Sequence, residues 1–177
     1  MTLVVPAEDA EREGGVAGGS TRSASVRAGL AEVPDDVEIV CVHDAARPLA
    51  TLDLYRRVID AVRAGADAAI PGIAVTDTIK VIDRDASALA SAADDASARV
   101  VSTPTRSTLV AVQTPQAFRA DRLRAAHASG DDATDDAALI ERSGGSVVVV
   151  AGESTNRKIT EPDDLAWTRS QIDGRTS

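Results

Sequence analysis

The stretch Val37-Glu38-Ile39-Val40-Cys41-Val42-His43-Asp44-Ala45-Ala46-Arg47-Pro48 decides the fold class. Its first six residues are rich in β-branched side chains and read as a buried strand. A histidine, a carboxylate and a guanidinium follow at once, so they fall at the strand's carboxyl end. Open α/β sheets bind their ligands at that edge. Pro48 stops the strand and sets up the next turn.

Outward from this stretch, strand and helix patterns alternate. Thr2-Leu3-Val4-Val5-Pro6 looks like a strand end, residues 7–13 a short helix, and Val16, between glycine pairs, a small strand or turn. Ser23 is expected to cap a helix running to Leu30, with Val26 and Leu30 on one face. Thr51 is expected to cap the next, whose apolar stripe is Leu52, Tyr55, Val58, Ile59 and Val62; Gly65 suits its stop. Residues 68–75 read as a strand. Residues 78–82 and 98–102 read as the two strands of a long hairpin with a polar, mobile tip over 83–97. The hairpin fits either a dimerisation arm or a surface loop.

Residues 109–112 resume the sheet and residues 119–129 suit a helix. Thr134 is expected to cap a further helix, with Asp135 and Asp136 complementing the macrodipole in its first turn. Residues 146–151 read as the clearest buried strand, and Thr160 as the cap of a last helix with Pro162 and Asp163 in its first turn. The alternation predicts an α/β fold of three layers around a mixed sheet.

Composition narrows the function. The 177 residues carry a formal net charge of −9, so a basic nucleic-acid-binding surface is not expected. Any anionic ligand must be drawn by a local cluster of cations. Lys80 and Lys158 are the two lysines, and arginine carries the remaining positive charge. The single cysteine, Cys41, reads as a buried core thiol. No run of 18 apolar residues and no signal-peptide core are visible, so a soluble, cytoplasmic protein without a membrane span is expected. The three aromatic residues, Tyr55, Phe118 and Trp167, leave a core of Val, Ile, Leu and Ala, which suits a sheet flanked by helices.

Three segments place polar groups at element ends. Gly18-Gly19-Ser20-Thr21-Arg22-Ser23-Ala24-Ser25-Val26 fits an anion or nucleobase pocket at a helix N-terminus, or an ordinary capped glycine turn. Asp44 to Arg47 fits a ligand site or a structural salt bridge. Asn156-Arg157-Lys158-Ile159-Thr160 offers a lysine for a phosphate, or a solvated one. His43 fits a general base or a packed neutral histidine. His127 reads as a helix-surface residue without a motif. No cysteine- or histidine-rich metal site and no nucleophile elbow are present.

The order of the segments is more specific than any one of them. Gly18-Gly19, Arg22, Ser25-Val26 and Gly29-Leu30 precede Val42-His43-Asp44-Ala45-Ala46-Arg47-Pro48. Asp77-Thr78-Ile79-Lys80, Val112-Gln113-Thr114-Pro115-Gln116-Ala117-Phe118, Thr134-Asp135-Asp136 and Asn156-Arg157-Lys158-Ile159-Thr160 follow in turn. The series resembles the 2-C-methyl-D-erythritol 4-phosphate cytidylyltransferases of the non-mevalonate isoprenoid pathway. The resemblance implies a nucleotide-diphospho-sugar-transferase-like (Rossmann-like) mixed sheet in one domain over 1–177, with residues 76–108 as a protruding arm that pairs two subunits. It implies transfer of CMP from CTP to methylerythritol phosphate with release of pyrophosphate, Mg²⁺ riding on the triphosphate. That chemistry depends on positioning and charge stabilisation.

Carried over by motif, Gly19, Ser20 and Ser25 would lie at the cytidine, although the family often has Asp in place of Ser20. Asp44 and Ala45 would border ribose and substrate. Arg47, Thr78 and Arg106 would hold methylerythritol phosphate, partly from a partner subunit's arm, and Thr114 and Thr134 would add hydroxyl contacts. Lys158 would bridge the nucleotide and substrate phosphates, and Arg106 and Lys158 would orient the nucleophile. Pro104-Thr105-Arg106 stands where the family usually has Val-Asp-Arg, and the hairpin tip is longer than its norm.

The family also opens with two further strands and a glycine-rich triphosphate loop, so the resemblance implies that Met1 falls part-way into the family's domain, through a misplaced start or because the sequence is a fragment. The chain on its own is therefore expected to be inactive or nearly so, and prone to aggregate. A non-catalytic remnant that dimerises or binds substrate is one alternative function. A ribitol 5-phosphate cytidylyltransferase is another; Ala45-Ala46 before Arg47 favours the isoprenoid enzyme.

Overall fold

The computed structural model describes residues 1–86, 97–133 and 135–174. It divides into two compact units, residues 1–72 with 112–177 and residues 73–111.

The first unit is mixed α/β. A two-stranded parallel ladder joins β1 (Val4–Val5) to β2 (Val16–Ala17), with α1 (Ala10–Glu13) between them and α2 (Arg22–Ala31) after them. Gly14, at φ 61°, closes α1 in the left-handed region. The main sheet runs β3 (Ile39–Val42), β8 (Gln116–Arg119), β4 (Ala68–Ala74), β9 (Val147–Ala151). β8 is antiparallel to both neighbours, whereas β4 and β9 are parallel. β3, β4 and β9 therefore all end at the edge where β8 begins.

Alternate side chains of the sheet feed two apolar layers. Ala68, Ile70 and Phe118 pack with Leu30 of α2, Leu123 of α4 (Ala120–His127), and Ala137 and Ile140 of α5 (Asp136–Arg142). Ala69 and Ala117 turn the other way, against Val58 and Val62 of α3 (Leu52–Arg63). The three-layer expectation holds, with α3 on one face and α2, α4 and α5 on the other. The short alanines on β4 and β8 let helices approach closely, and this stands in for the aromatic residues the chain lacks.

In the second unit, β5 (Val81–Ile82) and β6 (Val100–Ser102) pair antiparallel as a hairpin. β7 (Val110–Val112) closes this stretch of the chain. Lys80 donates to the Thr103 hydroxyl at 2.8 Å, and Asp83 pairs with Arg99 across the hairpin at 3.3 Å. Most of the expected hairpin tip, residues 87–96, lies outside the described residues.

Several local expectations need correction. The sequence pattern does not predict β8: only Ala117 and Phe118 are apolar among its four residues, and its strand character comes from being flanked on both sides. In α3 the buried line is Leu54, Val58 and Val62, whereas Leu52 is 74% exposed. Residues i and i+4 share a face, and the sheet selects the face. Thr21 rather than Ser23 caps α2; the Ser23 hydroxyl is buried and accepts from Ala133 N–H. Asp135 caps α5 by accepting from Ala138 N–H, while Thr134 lies outside the described residues. The cap of α6 (Pro162–Asp173) is Glu161, in a reciprocal box with Asp164, and Thr160 instead donates to Asp164. Among the described residues β9 pairs with β4 alone, and Val148 and Val149 are exposed, so it is an edge strand there. No helix is long and apolar enough to cross a membrane among the described residues.

Candidate functional site

The carboxyl ends of β3 and β9 and the amino end of β8 meet at one edge of the sheet. Asp44 and Arg47 leave β3 there, Gln113 and Thr114 enter β8, and the loop after β9 carries Glu153, Asn156 and Lys158.

Asp44 is the hub. Its Oδ2 lies 3.1 Å from the Lys158 ammonium and 3.9 Å from Arg47 Nε. Lys158 is 48% exposed, whereas Arg47 is 13% exposed. Arg47 also donates through Nη1 to the Asn156 carbonyl at 2.8 Å. Two cations thus converge on one carboxylate at a half-open edge of an acidic protein, the local concentration of positive charge that an anionic ligand requires.

His43 belongs to a relay that shapes this turn. Its Nε2–H donates to the Arg47 carbonyl at 3.1 Å, because a carbonyl only accepts. Its Nδ1 then accepts from the Thr114 hydroxyl at 3.0 Å, and that hydroxyl accepts from Asp44 N–H at 3.0 Å. Burial holds the imidazole pKa below its ordinary value, against the raising effects of the Arg47 carbonyl and Asp44. Of the two readings of His43, the packed neutral one fits this geometry. Both ring nitrogens are occupied, and so is the Thr114 hydroxyl.

The glycine loop is also internally bonded. Ser25 Oγ accepts from Gly19 N–H at 3.1 Å and donates to the Thr21 carbonyl at 3.1 Å. A Cβ on Gly19 would stand 2.3 Å from Ala24 Cβ, so only glycine allows this approach. Gly19, Ser20 and Ala45 are exposed. Arg22 does not face a ligand: its Nη2 is 2.8 Å from Asp136 Oδ2, and the other Asp136 oxygen is 2.9 Å from His127 Nε2. Asp136 is 0% exposed and His127 is buried, not at the helix surface as expected. Burial opposes ionisation of Asp136, but the hydrogen bonds from His127 and Arg22 outweigh it and hold the pKa below the usual carboxylate value.

Cys41 is half-buried on β3, less enclosed than expected, and burial pushes its thiol up to about 11. In the second unit, Arg106 donates to the Thr76 carbonyl at 2.6 Å, and Thr78 is exposed. Thr134 lies outside the described residues. Among the described residues no group of three or more His, Cys, Asp or Glu side chains could hold a metal. Asp44, already facing two cations, is a poor resident magnesium ligand.

Sequence reasoning missed three residues at this edge. Gln113, Glu153 and Asn156 are polar and enclosed, and the Gln113 side chain bonds to the backbone of the other two. Gln113 and Asn156 stand inside the motif series, but spacing alone gave them no task.

A model of the IspD family, 2-C-methyl-D-erythritol 4-phosphate cytidylyltransferase, matches residues 12–173. The chain belongs to this family. A relative from Rhodococcus jostii (strain RHA1), named 2-C-methyl-D-erythritol 4-phosphate cytidylyltransferase, is 49% identical over 159 residues, which cover 89% of this chain and 65% of the relative. The solved 4-diphosphocytidyl-2C-methyl-D-erythritol synthase from Anaerococcus prevotii DSM 20548 superposes with a TM-score of 0.81 at 30% identity, over 97% of this chain and 80% of that one. The cytidylyltransferase from Thermus thermophilus superposes at 0.72 with 37% identity, over 88% and 71%. The chain thus spans about 65% of the length of the Rhodococcus relative.

Proposed function

We propose that this IspD-family chain serves transfer of CMP from CTP to 2-C-methyl-D-erythritol 4-phosphate, giving CDP-methylerythritol and pyrophosphate. A phosphate oxygen of the polyol attacks the α-phosphorus, the bond from that phosphorus to the bridging oxygen breaks, and pyrophosphate leaves with that oxygen. The observation that carries this reading is the Asp44–Arg47–Lys158 cluster at the sheet edge of an IspD-family chain.

Lys158, half-exposed and tethered to Asp44, would meet phosphate oxygens of both reactants and hold the nucleophile in line. Arg47 would hold the polyol phosphate from the inner side. Asp44 and Ala45 would border the ribose; Gly19, Ser20 and Ser25 would line the cytidine. Thr114 acts through the turn, because its hydroxyl already joins Asp44 to His43. Thr134 would contact the polyol. Thr78 and Arg106, contributed in part by a second copy's arm, would hold the same phosphate, and Arg106 would share the orienting role of Lys158. Magnesium would enter bound to the triphosphate, as part of that substrate, and supply charge neutralisation there.

A homodimer through the arm is part of this reading. Val81, Val100 and Val101, exposed on the hairpin at 44%, 52% and 60%, support it. Sedimentation should show a dimer that Val101→Asp converts to monomer; an unchanged dimer in the variant would remove the arm from the interface. A cytoplasmic location is part of the same reading. Ribitol phosphate is the less favoured substrate, since the relatives' names specify methylerythritol.

Calorimetry with each ligand tests the proposal. Methylerythritol phosphate should bind more tightly than ribitol 5-phosphate, and CTP should bind with magnesium. Equal or reversed preference between the polyol phosphates, or no binding of either reactant, would sink it.

A further inference from the structure

We infer that Asn156 and Gln113 are positioning residues of the phosphate site, together setting where Lys158 and Arg47 stand. The inference rests on the assignment of those two cations to phosphate.

Asn156 is wholly buried, an uncommon state for an amide side chain. Its Nδ2 donates to the Thr114 carbonyl at 2.8 Å, which ties the loop after β9 to the entry of β8. Its backbone carbonyl receives two donors, Arg47 Nη1 at 2.8 Å and Gln113 Nε2 at 3.2 Å. Gln113 grips the same loop three residues earlier. Its Nε2 donates to the Glu153 carbonyl at 2.8 Å and its Oε1 accepts from Glu153 N–H at 3.0 Å, a strand-like pairing made by a side chain. Beyond Asn156, Ile159 N–H donates to the Ala46 carbonyl at 2.8 Å. Lys158 is thus held between one anchored residue on each side, two positions after Asn156 and one before Ile159. A flexible four-carbon side chain reaches Asp44 reproducibly only if its own backbone is pinned.

The Glu153 side chain completes the anchorage. Its Oε1 accepts from the Thr51 hydroxyl at 2.6 Å and from Arg57 Nη2 at 2.7 Å. The loop is therefore fixed to α3 as well as to β8. Asn156 and Gln113 are buried, so their effect on the site must pass through Arg47 and Lys158.

The chain offers a direct reporter, because Lys158 and Lys80 are its only lysines. Reductive ¹³C-dimethylation keeps their charge, and Lys158→Met assigns the signals. In Asn156→Ala the Lys158 signal should move to the position of free dimethyl-lysine while that of Lys80 stays. On unmodified protein, affinity for methylerythritol phosphate should fall on the order of tenfold to a hundredfold. The loss should be smaller in the Lys158→Met background, where Asn156 has only Arg47 left to act through. Gln113→Glu, which keeps the acceptor for Glu153 N–H and removes the donor, should give the same shift if the alanine variant fails to fold. An unmoved Lys158 signal in a folded variant, or an affinity loss undiminished without Lys158, would overturn the inference. A moved signal combined with unaltered phosphate binding in Lys158→Met would instead uphold the positioning and refute the assignment of Lys158 to phosphate.

Discussion

The Lys158 ammonium stands 3.1 Å from the Asp44 carboxylate, although the two residues come from loops at the ends of different strands, β9 and β3. The pair is half-open to solvent, so it contributes little to folding, about 0–1 kcal/mol. Its use is to hold a cation at the edge of the sheet. Lys158→Met should leave the melting temperature nearly unchanged and weaken methylerythritol phosphate binding by about tenfold or more, the loss of one charge-assisted hydrogen bond. Calorimetry and a thermal melt on the same sample check both halves.

Arg47→Lys should fail for a geometric reason. The guanidinium reaches the Asn156 carbonyl through Nη1 while Nε stays beside Asp44, and a single ammonium cannot do both. Loss of a hydrogen bond from a charged group in this 13%-exposed position should cost about 1.5–3 kcal/mol. Urea denaturation of the two proteins measures it, and equal midpoints would contradict it.

Asp136 ties α2 to α5 through Arg22 and to α4 through His127. Asp136→Asn would leave the part-exposed Arg22 charge without its carboxylate, and should cost about 1.5–3 kcal/mol. The wild-type pKa is held below the ordinary carboxylate value. The stabilisation is therefore complete above that ordinary value and is lost as pH falls through the lower, folded one. Melting curves from neutral pH into acid should show this decline in the wild type, and a shallower one in Asp136→Asn.

Cys41, with its thiol pushed up to about 11 by burial, should be almost entirely protonated at neutral pH and slow to react. Iodoacetamide should label it in denaturant and leave it largely unlabelled in the native protein, as read by mass spectrometry. Rapid native labelling would show that β3 opens readily.

Gly19→Ala would force a Cβ to 2.3 Å from Ala24 Cβ. The start of α2 is held by Thr21 and Ser25, so the glycine loop must yield. CTP affinity should fall while methylerythritol phosphate affinity is retained, a split that calorimetry resolves.

The sequence by itself determined the fold class, the family and the polar segments that form the site. Those are properties of order and spacing: strands of Val and Ile end in Asp44 and Arg47, and a lysine follows the last strong strand. It also determined the α3 cap, since Thr51 bonds Leu54 N–H within its own turn. Tertiary structure decided what depends on neighbours distant in the chain. β8 is a strand because β3 and β4 flank it, and α3 buries Leu54 instead of Leu52 because of the face the sheet offers. His127 is buried because Asp136 accepts from it. Arg22 reads as ligand-facing from its adjacency to the glycines, yet it is neutralised by a carboxylate far along the chain. Gln113 and Asn156 stand inside the motif series, yet their role was not legible there, because enclosed amides acquire it from the backbone groups that fold against them. Spacing along a chain reports local geometry; which buried polar group satisfies which is settled only when the layers close.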